Sequence, residues 1–441
     1  MAIRESQQHA LNPADDCPTR QPIHASQRSG QHGVWGYPAL SGELILAMME
    51  NERWILPDGI DEVLPQEAQV VESKRRELLD LYRSWGYDYV IPPFVEFLDS
   101  LLTGTGSDLD LNTFKLTDQM SGRLMGIRAD ITPQAARIDA NRIQAQHPTR
   151  LCYLGTVLHT RSDGFAGTRS PLQIGAELYG HCGIESDIEI LRLMMETLNK
   201  TGVEEVYLDL GHVGIFKGLA EQAGLNKQQE RELFDALQRK ALAEIETLLA
   251  SFDIAAEHAA MLLRLGELNG DKALSQAREE LKQASPTVIE ALDYLQAVAD
   301  QIAQWLPDVP VHFDLAELRG YHFHTGVVFA AFIPGNGKEI ARGGRYDAIG
   351  SVFGRGRPAT GFSADLKNLI RVAQPALQVT DEMVIFAPVS TDPALTLEIA
   401  RLRGEGHRVI CALPGQSGGA AEMGCQQQLQ WVDDRWQLIS V

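Results

Sequence analysis

Apolar side chains recur in helix-like and strand-like patterns from about residue 54 onward. The first 50 residues are rich in Gln, His, Ser and Gly and show little apolar periodicity before Leu44. We therefore predict that residues 1–50 are a flexible extension. After an entry punctuated by Pro and Gly, the apolar residues fall on one side of a predicted helix: Val71, Leu78, Leu79 and Tyr82.

Strand-like segments follow this helix. The run YDYVIPPFVEF (87–97) predicts a strand that is broken at its paired prolines, which lack the N–H donors of a ladder. Two strands then flank a turn at 118–123, and a helix begins at about Pro133. A long polar loop separates a strand that ends near Leu158 from one that starts near Leu172.

The second half of the chain begins with a block of predicted amphipathic helices over about 226–306. The leucines and methionine that set its period are Leu233, Leu237, Leu248, Met261, Leu262, Leu281, Leu292 and Leu295. The next segment, VPVHFDLAELRGYHFHTGVVFAAF, predicts a β-hairpin. It is followed by a strand end with a glycine turn at 340–350, and PATGFSADLKNLIRV opens a helix.

The final segment, past about Gln378, reads as strand, helix, strand and predicts a small α/β unit. We expect three parts: an extension at 1–50, a core at 51–375 with its helical insertion at about 226–306, and a C-terminal domain at 380–441. The predicted fold class is α+β, with an antiparallel sheet flanked by helices.

Composition narrows the class of protein. The chain has 441 residues, 44% of them hydrophobic, so it can bury a large core. No stretch approaches the roughly 20 apolar residues of a membrane helix, and the start carries no export signal. Five scattered cysteines without zinc-type pairing favour reduced thiols in a cytoplasmic protein. A net charge of −20 without a Lys-rich tract argues against nucleic-acid binding.

Four segments, in order, resemble histidyl-tRNA synthetase, a class II aminoacyl-tRNA synthetase. The first is GIDEVLPQEA (59–68) with VIPPFVEF (90–97), similar to the dimer-forming motif, and the second is GIRADITPQ (126–134). The third is the loop-spanning run RLCYLGTVLHTRSDGFAGTRSPLQIGAELYG (150–180). The fourth comprises LRGYHFHTG (318–326) and GGRYD (343–347). The resemblance implies the class II fold and dimerisation through the first motif.

The positions that would hold ATP depart from this family. His159 stands for the family's phosphate-binding arginine, and Arg161 stands for the acid two residues later. Gly167 replaces a further arginine of the loop, and Asn368 replaces the arginine that ends the third class II motif. Charge-assisted contacts to phosphate contribute about 2 kcal/mol or more each in a closed site. We therefore expect no adenylation, and no cofactor.

The positions that would hold the amino acid are better kept. By the resemblance, carboxylate and amide groups meet the ammonium, an arginine meets the carboxylate, and a tyrosine lines the imidazole end. The ammonium positions hold Asp130, Gln173 and Glu177, and Thr132 stands where the family has a threonine. Arg319 is at the carboxylate position, and His324 and Tyr346 are at the imidazole end. Where the family has two tyrosines this chain has Phe323 and His324, which leaves the identity of the ligand open.

Some of these residues have simpler interpretations. His322 and His324 share a strand face and would suit a metal, but no third ligand is spaced to join them, so a polar pocket wall is favoured. The arginines at 342, 345, 355 and 357 are interpreted as solvated charges around a tight turn, with an anion or a partner as the alternative. No phosphoribosyl-pyrophosphate loop of the common type is present.

A histidyl-synthetase-like core without its adenylation arginines resembles one paralogous family, the regulatory subunits of short-form ATP phosphoribosyltransferase. GIRADITPQ and LDLGHVGIFKGL (208–219) carry this likeness. It implies a homodimer within a hetero-oligomer, a catalytic-subunit partner, and L-histidine as feedback effector. Two alternatives remain: a divergent, active histidyl-tRNA synthetase, and a stand-alone amino-acid or tRNA-mimicking regulator.

Overall fold

The computed structural model of the protein describes residues 55–104, 107–162, 167–316, 323–373 and 383–441. The predicted extension at 1–50 and Arg319 lie outside these ranges. By its contacts, the chain from Pro57 to Val441 holds together as one unit. The division of the chain into a core and a C-terminal domain stays a prediction.

The described chain contains both helices and strands. The helices are α1 Pro65–Ser84, α2 Leu98–Leu101, α3 Ser107–Asn112, α4 Thr132–Ile138, α5 Ile184–Lys200, α6 Val213–Gln222, α7 Lys227–Gln238, α8 Leu242–Ser251, α9 Ala256–Leu265, α10 Ala273–Glu280, α11 Pro286–Trp305, α12 Ile349–Val352, α13 Leu366–Ala373 and α14 Pro393–Gly404. The strands are β1 Asp88–Tyr89, β2 Val95–Phe97, β3 Phe114–Thr117, β4 Leu124–Ile127, β5 Thr149–Thr156, β6 Leu172–Tyr179, β7 Tyr207–His212, β8 Asn269–Gly270, β9 Val311–Asp314, β10 Val327–Phe332, β11 Ala341–Arg345, β12 Ala359–Asp365, β13 Val384–Ala387, β14 Arg408–Cys411, β15 Gln427–Val432 and β16 Arg435–Ser440. Within the described ranges, every helix is too short or too polar to cross a bilayer.

The first predicted helix is confirmed as α1. Pro65 occupies its first turn, where a missing N–H costs nothing, and Val71, Leu78 and Tyr82 are buried along one side. The helix ends two residues before Gly86, whose φ of +81° only glycine adopts without strain. The sequence was sufficient to predict this helix because the period of its apolar residues agrees with the proline at its start and the glycine after its end.

A nine-stranded sheet forms the centre of the fold, in the order β1-β5-β6-β12-β11-β10-β7-β9-β8. Most of its pairs are antiparallel, but β1 runs parallel to β5 and β7 runs parallel to β9. Helices α1, α5, α6 and α11 pack together in one layer with the apolar face of the sheet. The predicted α+β architecture, a sheet flanked by helices, is thus confirmed, as a mixed sheet with an antiparallel centre.

The predicted β-hairpin after residue 309 is wrong. Its two strands, β9 and β10, do not pair with each other, because β7 lies between them and bonds to both. The apolar alternation identified both strands correctly, but it carries no information on which strand is the neighbour. A further strand, β12, precedes the predicted helix α13 and was missed because its run of small residues has no alternation.

Five helices, α7 to α11, occupy most of residues 226–306, as their apolar period predicts. The leucines that define this period are buried: Leu233, Leu237, Leu262, Leu281, Leu292 and Leu295 are at most 1% exposed. Helix α7 begins with a capping box in which Asn226 and Gln229 bond each other's backbone. Its C-terminal half reaches the functional cleft described below.

The last 60 residues form a second sheet, in the order β14-β13-β15-β16. The predicted strand, helix and strand correspond to β13, α14 and β14. The hairpin of β15 and β16 was missed. Its turn uses Asp433 and Asp434, both at positive φ, where Asn-Gly is the usual signal.

The arginines interpreted as solvated charges are in part buried, which corrects that interpretation. Arg345 is 5% exposed and pairs with Asp187 at 3.0 Å. Arg357 pairs with Asp139 at 3.3 Å and donates to the carbonyl oxygen of Tyr179. Arg342 is solvated as expected. Sequence alone could not separate these cases because the buried acidic partners, Asp187 and Asp139, lie more than 150 residues away from their arginines.

Candidate functional site

A cleft of about 820 Å³ lies over the central strands of the large sheet. On β6, Ile174, Ala176 and Leu178 face the helix layer, so the alternating Gln173 and Glu177 face the cleft. Six of the seven sequence-predicted pocket residues line it: Asp130, Thr132, Gln173, Glu177, His324 and Tyr346. The seventh, Arg319, lies outside the described residues.

One end of the cleft carries a carboxylate held in place by an amide. Gln173 Nε2 donates to Asp130 Oδ1 at 2.8 Å, and the N–H of Thr132 donates to the same oxygen at 2.9 Å. The N–H of Ile131 donates in turn to Gln173 Oε1. Among the described residues, Asp130 Oδ2 has no hydrogen-bond donor. This fixed carboxylate therefore has one oxygen left to accept from a ligand.

Glu177 lies deeper, and only 1% of it is exposed. Its carboxyl accepts hydrogen bonds from the hydroxyl groups of Thr132, Tyr153 and Tyr346. Burial raises the pKa of Glu177 to about 8, against the opposing effect of these three donors. The group therefore titrates close to neutral pH.

A glycine on the neighbouring strand makes room for this carboxyl. Glu177 lies opposite Gly361 in the β6–β12 ladder. A Cβ atom at Gly361 would lie 1.5 Å from Glu177 Oε2 and 2.8 Å from the carbonyl oxygen of Ala176. Any larger residue at this position would displace Glu177 from its donors.

The opposite wall of the cleft is aromatic. The ring of Phe323 stacks on Tyr346, with centroids 4.8 Å apart, and meets His324 edge-to-face at 5.4 Å. Since Tyr346 also bonds Glu177, the carboxyl belongs to this aromatic end of the cleft. Such a wall can bind a planar ring that carries polar groups at its edge.

The tautomer of His324 follows from its surroundings. Burial lowers the pKa of His324 to about 4, so its ring is neutral at physiological pH. Its Nδ1 lies 3.3 Å from the carbonyl oxygen of Arg345, and a carbonyl only accepts. Nδ1 therefore carries the proton, and Nε2 is an acceptor for an N–H of a ligand.

At the other end lie the residues that stand in place of phosphate-binding arginines. His159 donates through Nε2 to the carbonyl oxygen of Ala129 at 2.9 Å. Arg169, the arginine kept from the loop, donates to the carbonyl oxygens of His159 and Asp58. Asn368 lines the cleft without a charge.

Two cations at this end, Lys367 and Arg371, share one acid. Asp61 pairs with Lys367 at 3.0 Å and with Arg371 at 2.7 Å. It also accepts from the hydroxyls of Ser170 and Thr168. Burial acts to raise the pKa of Asp61, but these four donors outweigh it and hold the pKa well below its usual range. The carboxylate stays charged, so Lys367 and Arg371 are engaged internally.

Several lining residues escaped the sequence reasoning. Phe234 and Gln238 reach the cleft from α7, and Lys338 lines it from the turn before β11. Arg342, at the start of β11, also lines it, and binding of an anion was the alternative left open for this arginine. The α7 residues carried no signal, since only tertiary packing brings the insertion to the cleft. Among the described residues, no cluster of His, Cys, Asp and Glu suits a metal ion.

Two segments of the chain match known protein families. Residues 59–369 match the histidyl-tRNA synthetase family. Residues 382–439 match the C-terminal domain of the ATP phosphoribosyltransferase subunit HisZ. The first match includes the described lining residues of the cleft except Arg371, and the second covers the second sheet except its last residue, Ser440.

Similar proteins agree with these matches. An ATP phosphoribosyltransferase regulatory subunit from Thioalkalivibrio sulfidiphilus is 58% identical over 383 residues, which cover 87% of this chain and 97% of that protein. One from Alkalilimnicola ehrlichii is 55% identical over 88% of this chain and 97% of its own.

Solved structures resemble the fold as a whole. An ATP phosphoribosyltransferase regulatory subunit/histidyl-tRNA synthetase from Bacillus halodurans superimposes with a TM-score of 0.74 at 25% identity, covering 84% of this chain and 96% of that one. A histidyl-tRNA synthetase from Nostoc gives a TM-score of 0.71 at 17% identity, covering 88% and 97%. The second likeness concerns the fold alone.

Proposed function

This chain belongs to the family of ATP phosphoribosyltransferase regulatory subunits, and on that premise we propose that its cleft binds histidine as the effector of the catalytic subunit. The protein is the regulatory partner of that enzyme of histidine biosynthesis, not its catalytic chain. The finer assignments that follow concern the ligand, the assembly and the direction of control.

The cleft carries the proposal for histidine. Asp130, fixed by Gln173, offers a carboxylate oxygen to an ammonium group. At the aromatic end, Nε2 of His324 accepts from an imidazole N–H, while Glu177 lies beside Tyr346. Arg319, by the family resemblance, takes the carboxylate. A ligand that makes all of these contacts has an ammonium, a ring with N–H groups and a carboxylate, and histidine has all three.

The same cleft argues against adenylation. His159 donates to the carbonyl oxygen of Ala129, Asn368 is an amide where the family has an arginine, and Lys367 and Arg371 both pair with Asp61. A nucleotide triphosphate entering here would lose its hydration without the bidentate arginine contacts that the synthetase family provides. This favours the regulatory role over the alternative of a divergent histidyl-tRNA synthetase.

Control of the enzyme then follows from thermodynamic linkage between the binding of histidine and the binding of substrates. Histidine in this cleft and the substrates in the catalytic chain must prefer different states of the complex, with a coupling of about 1–3 kcal/mol. We propose that the unliganded subunit activates the catalytic chain and that histidine reverses this. We place the complex in the cytoplasm, where the described cysteines would stay reduced, as they are here.

The assembly is proposed to be a homodimer within a hetero-oligomer. Around the first motif, Ile91 is 78% exposed, Leu124 57% and Phe94 40%. Large apolar side chains grouped on a surface are typical of a protein interface. A second copy of the chain is the occupant that the family resemblance implies.

The test measures turnover of a purified short catalytic subunit with and without this chain, and with and without histidine. Wild-type protein is expected to stimulate turnover and to make it histidine-sensitive. Glu177→Ala and Arg319→Ala should blunt inhibition by histidine at least about tenfold in effector concentration while sparing stimulation, since each removes one contact to the ligand. Glu246→Ala, on an exposed position of α8, serves as the control.

Two outcomes would contradict the proposal. If the cleft variants stay as histidine-sensitive as the wild type, the effector binds elsewhere. If ATP–pyrophosphate exchange with histidine is measurable and turnover is not stimulated, the chain is an active synthetase.

A further inference from the structure

A second cavity of about 660 Å³ shares no lining residue with the histidine cleft. It lies where α5 and α11 end and where β7 begins. The floor is apolar, formed by Leu198, Val203, Leu306 and Val309. Its size is within the range of ligand and anchor pockets in proteins. Nothing in the regulatory function described so far uses it.

Aromatic rings form part of its wall. Trp305 lines the cavity, and the guanidinium of Arg192 lies 5.0 Å from its ring and 5.6 Å from that of Trp85. Tyr207 lines it as well, and its ring stacks on Phe332 with centroids 5.5 Å apart. The faces of such rings can pack against the aliphatic stem of a long side chain and against a cation.

The rim is negative. Glu196, Glu205 and Asp308 line the cavity against a single base, Arg192. Glu196 accepts from Trp85 Nε1, but within the described chain no hydrogen bond or ion pair engages the exposed carboxylates of Glu205 and Asp308. Both α5 and α11 end here, and the C-terminus of a helix carries partial negative charge. The cavity therefore favours a positive occupant.

The backbone at Glu205 supports a functional role for this residue. Its φ is +55°, in the left-handed region that costs an L-residue free energy. Glycine or asparagine would adopt this conformation more readily. The chain nevertheless places a glutamate here, at the cavity rim and without a partner in the described structure.

We propose that this cavity docks a segment of the catalytic subunit that presents a Lys or Arg side chain beside an apolar one. The apolar floor takes the apolar neighbour and the side-chain stem, and Glu205 and Asp308 pair with the basic head group. The inference rests on the proposed function, because it takes the catalytic subunit as the partner. It adds the docking surface and the chemistry that this surface recognises.

The experiment measures the dissociation constant of the complex by titration calorimetry at low and moderate salt. The test variant is Glu205→Asn with Asp308→Asn, and the control is Glu246→Gln with Asp253→Asn, two exposed acids of the helical insertion with the same change in charge. We expect the test variant to bind the catalytic subunit about tenfold more weakly, with less dependence on salt, and the control to bind like wild type. Because asparagine accepts positive φ, the melting temperature of the free test variant should not fall.

Unchanged affinity in the test variant, or equal weakening in the control, would overturn the proposal. A change only in self-association would assign the cavity to a second copy and would overturn it as well. If the double variant proves less stable, Asp308→Asn alone is measured, and unchanged affinity there would refute it equally. Failure of the wild-type chain to bind the catalytic subunit would instead refute the proposed function.

Discussion

Glu177 and Asp130 are both carboxyl groups of the candidate cleft, yet their surroundings give them different properties. Glu177 is enclosed by three hydroxyl donors, and burial raises its pKa to about 8. Asp130 is half-buried and retains an oxygen without a donor in the described structure. Because Glu177 shares its network with Tyr346, we propose that it faces the imidazole end of the ligand, and not the ammonium as the family resemblance implies, while Asp130 faces the ammonium.

The raised pKa of Glu177 predicts a pH dependence of stability. The folded chain binds this proton more tightly than the unfolded chain, so the free energy of unfolding falls as pH rises from about 4.5 to 8. The loss amounts to about 1.4 kcal/mol for each unit of pKa difference. Glu177→Gln keeps the shape of the side chain but cannot gain or lose a proton. The free energy of unfolding of this variant should therefore fall less over the same pH range.

Urea unfolding at pH 5 and pH 8 measures this difference. Glu246→Gln, which alters an exposed carboxyl, should retain the wild-type pH dependence. A Glu177→Gln variant with the same pH dependence as wild type would show that the carboxyl does not titrate in this range.

The six described pocket residues named from the sequence could be predicted because they belong to short motifs. Gln173 and Glu177 lie four apart on one strand, and Asp130 and Thr132 flank one helix start, so local geometry decides where they point. Phe234 and Gln238 could not be predicted. Their positions depend on how the helical insertion packs back onto the sheet, and periodicity does not encode that.

At the scale of elements, Arg345 joins parts of the chain that are far apart in sequence. It ends β11 and reaches Asp187 and Ser186 in the first turn of α5, at 3.0 Å and 2.8 Å. Tyr294 of α11 donates to the same Asp187. The adjacent Tyr346 bonds Glu177, so neighbouring residues of one strand end contact both the helix layer and the cleft.

Arg345→Met should destabilise the fold strongly. It leaves Asp187, which is fully buried, without its cationic partner, and breaking a buried pair in this way costs about 3–5 kcal/mol. Arg342→Met, on the same strand, removes an exposed pair with Glu339 and should change stability by about 0.5 kcal/mol or less.

Thermal and urea unfolding of both variants measure the contrast. Equal stability losses would show that burial does not distinguish the two arginines. The buried pair could not be predicted from the glycine-rich motif, because its acid belongs to an element 150 residues earlier.

For the molecule as a whole, the proposed dimer depends on the exposed apolar residues near the first motif. Ile91→Asp places a charge at a position that is 78% exposed in the single chain, so the subunit should still fold. In a dimer interface the same charge would be desolvated, and we expect the mass in solution to halve.

Leu397→Asp provides the matched control, because Leu397 is 73% exposed on α14 of the second sheet unit. Sedimentation velocity of the two variants and of wild type shows which of the two surfaces holds the copies of the chain together. If Leu397→Asp dissociates the assembly and Ile91→Asp does not, copies of the chain meet through the C-terminal sheet.

The nine-stranded sheet ends, within the described residues, in two strands of two residues each, β1 and β8. A strand edge recruits another chain through its row of unpaired N–H and C=O groups, and two residues offer very few. The sheet is therefore poorly suited to grow by adding strands from a neighbouring molecule. In concentrated solution the large sheet should resist edge-to-edge aggregation, while β16, a six-residue strand at the edge of the small sheet, is the more exposed template.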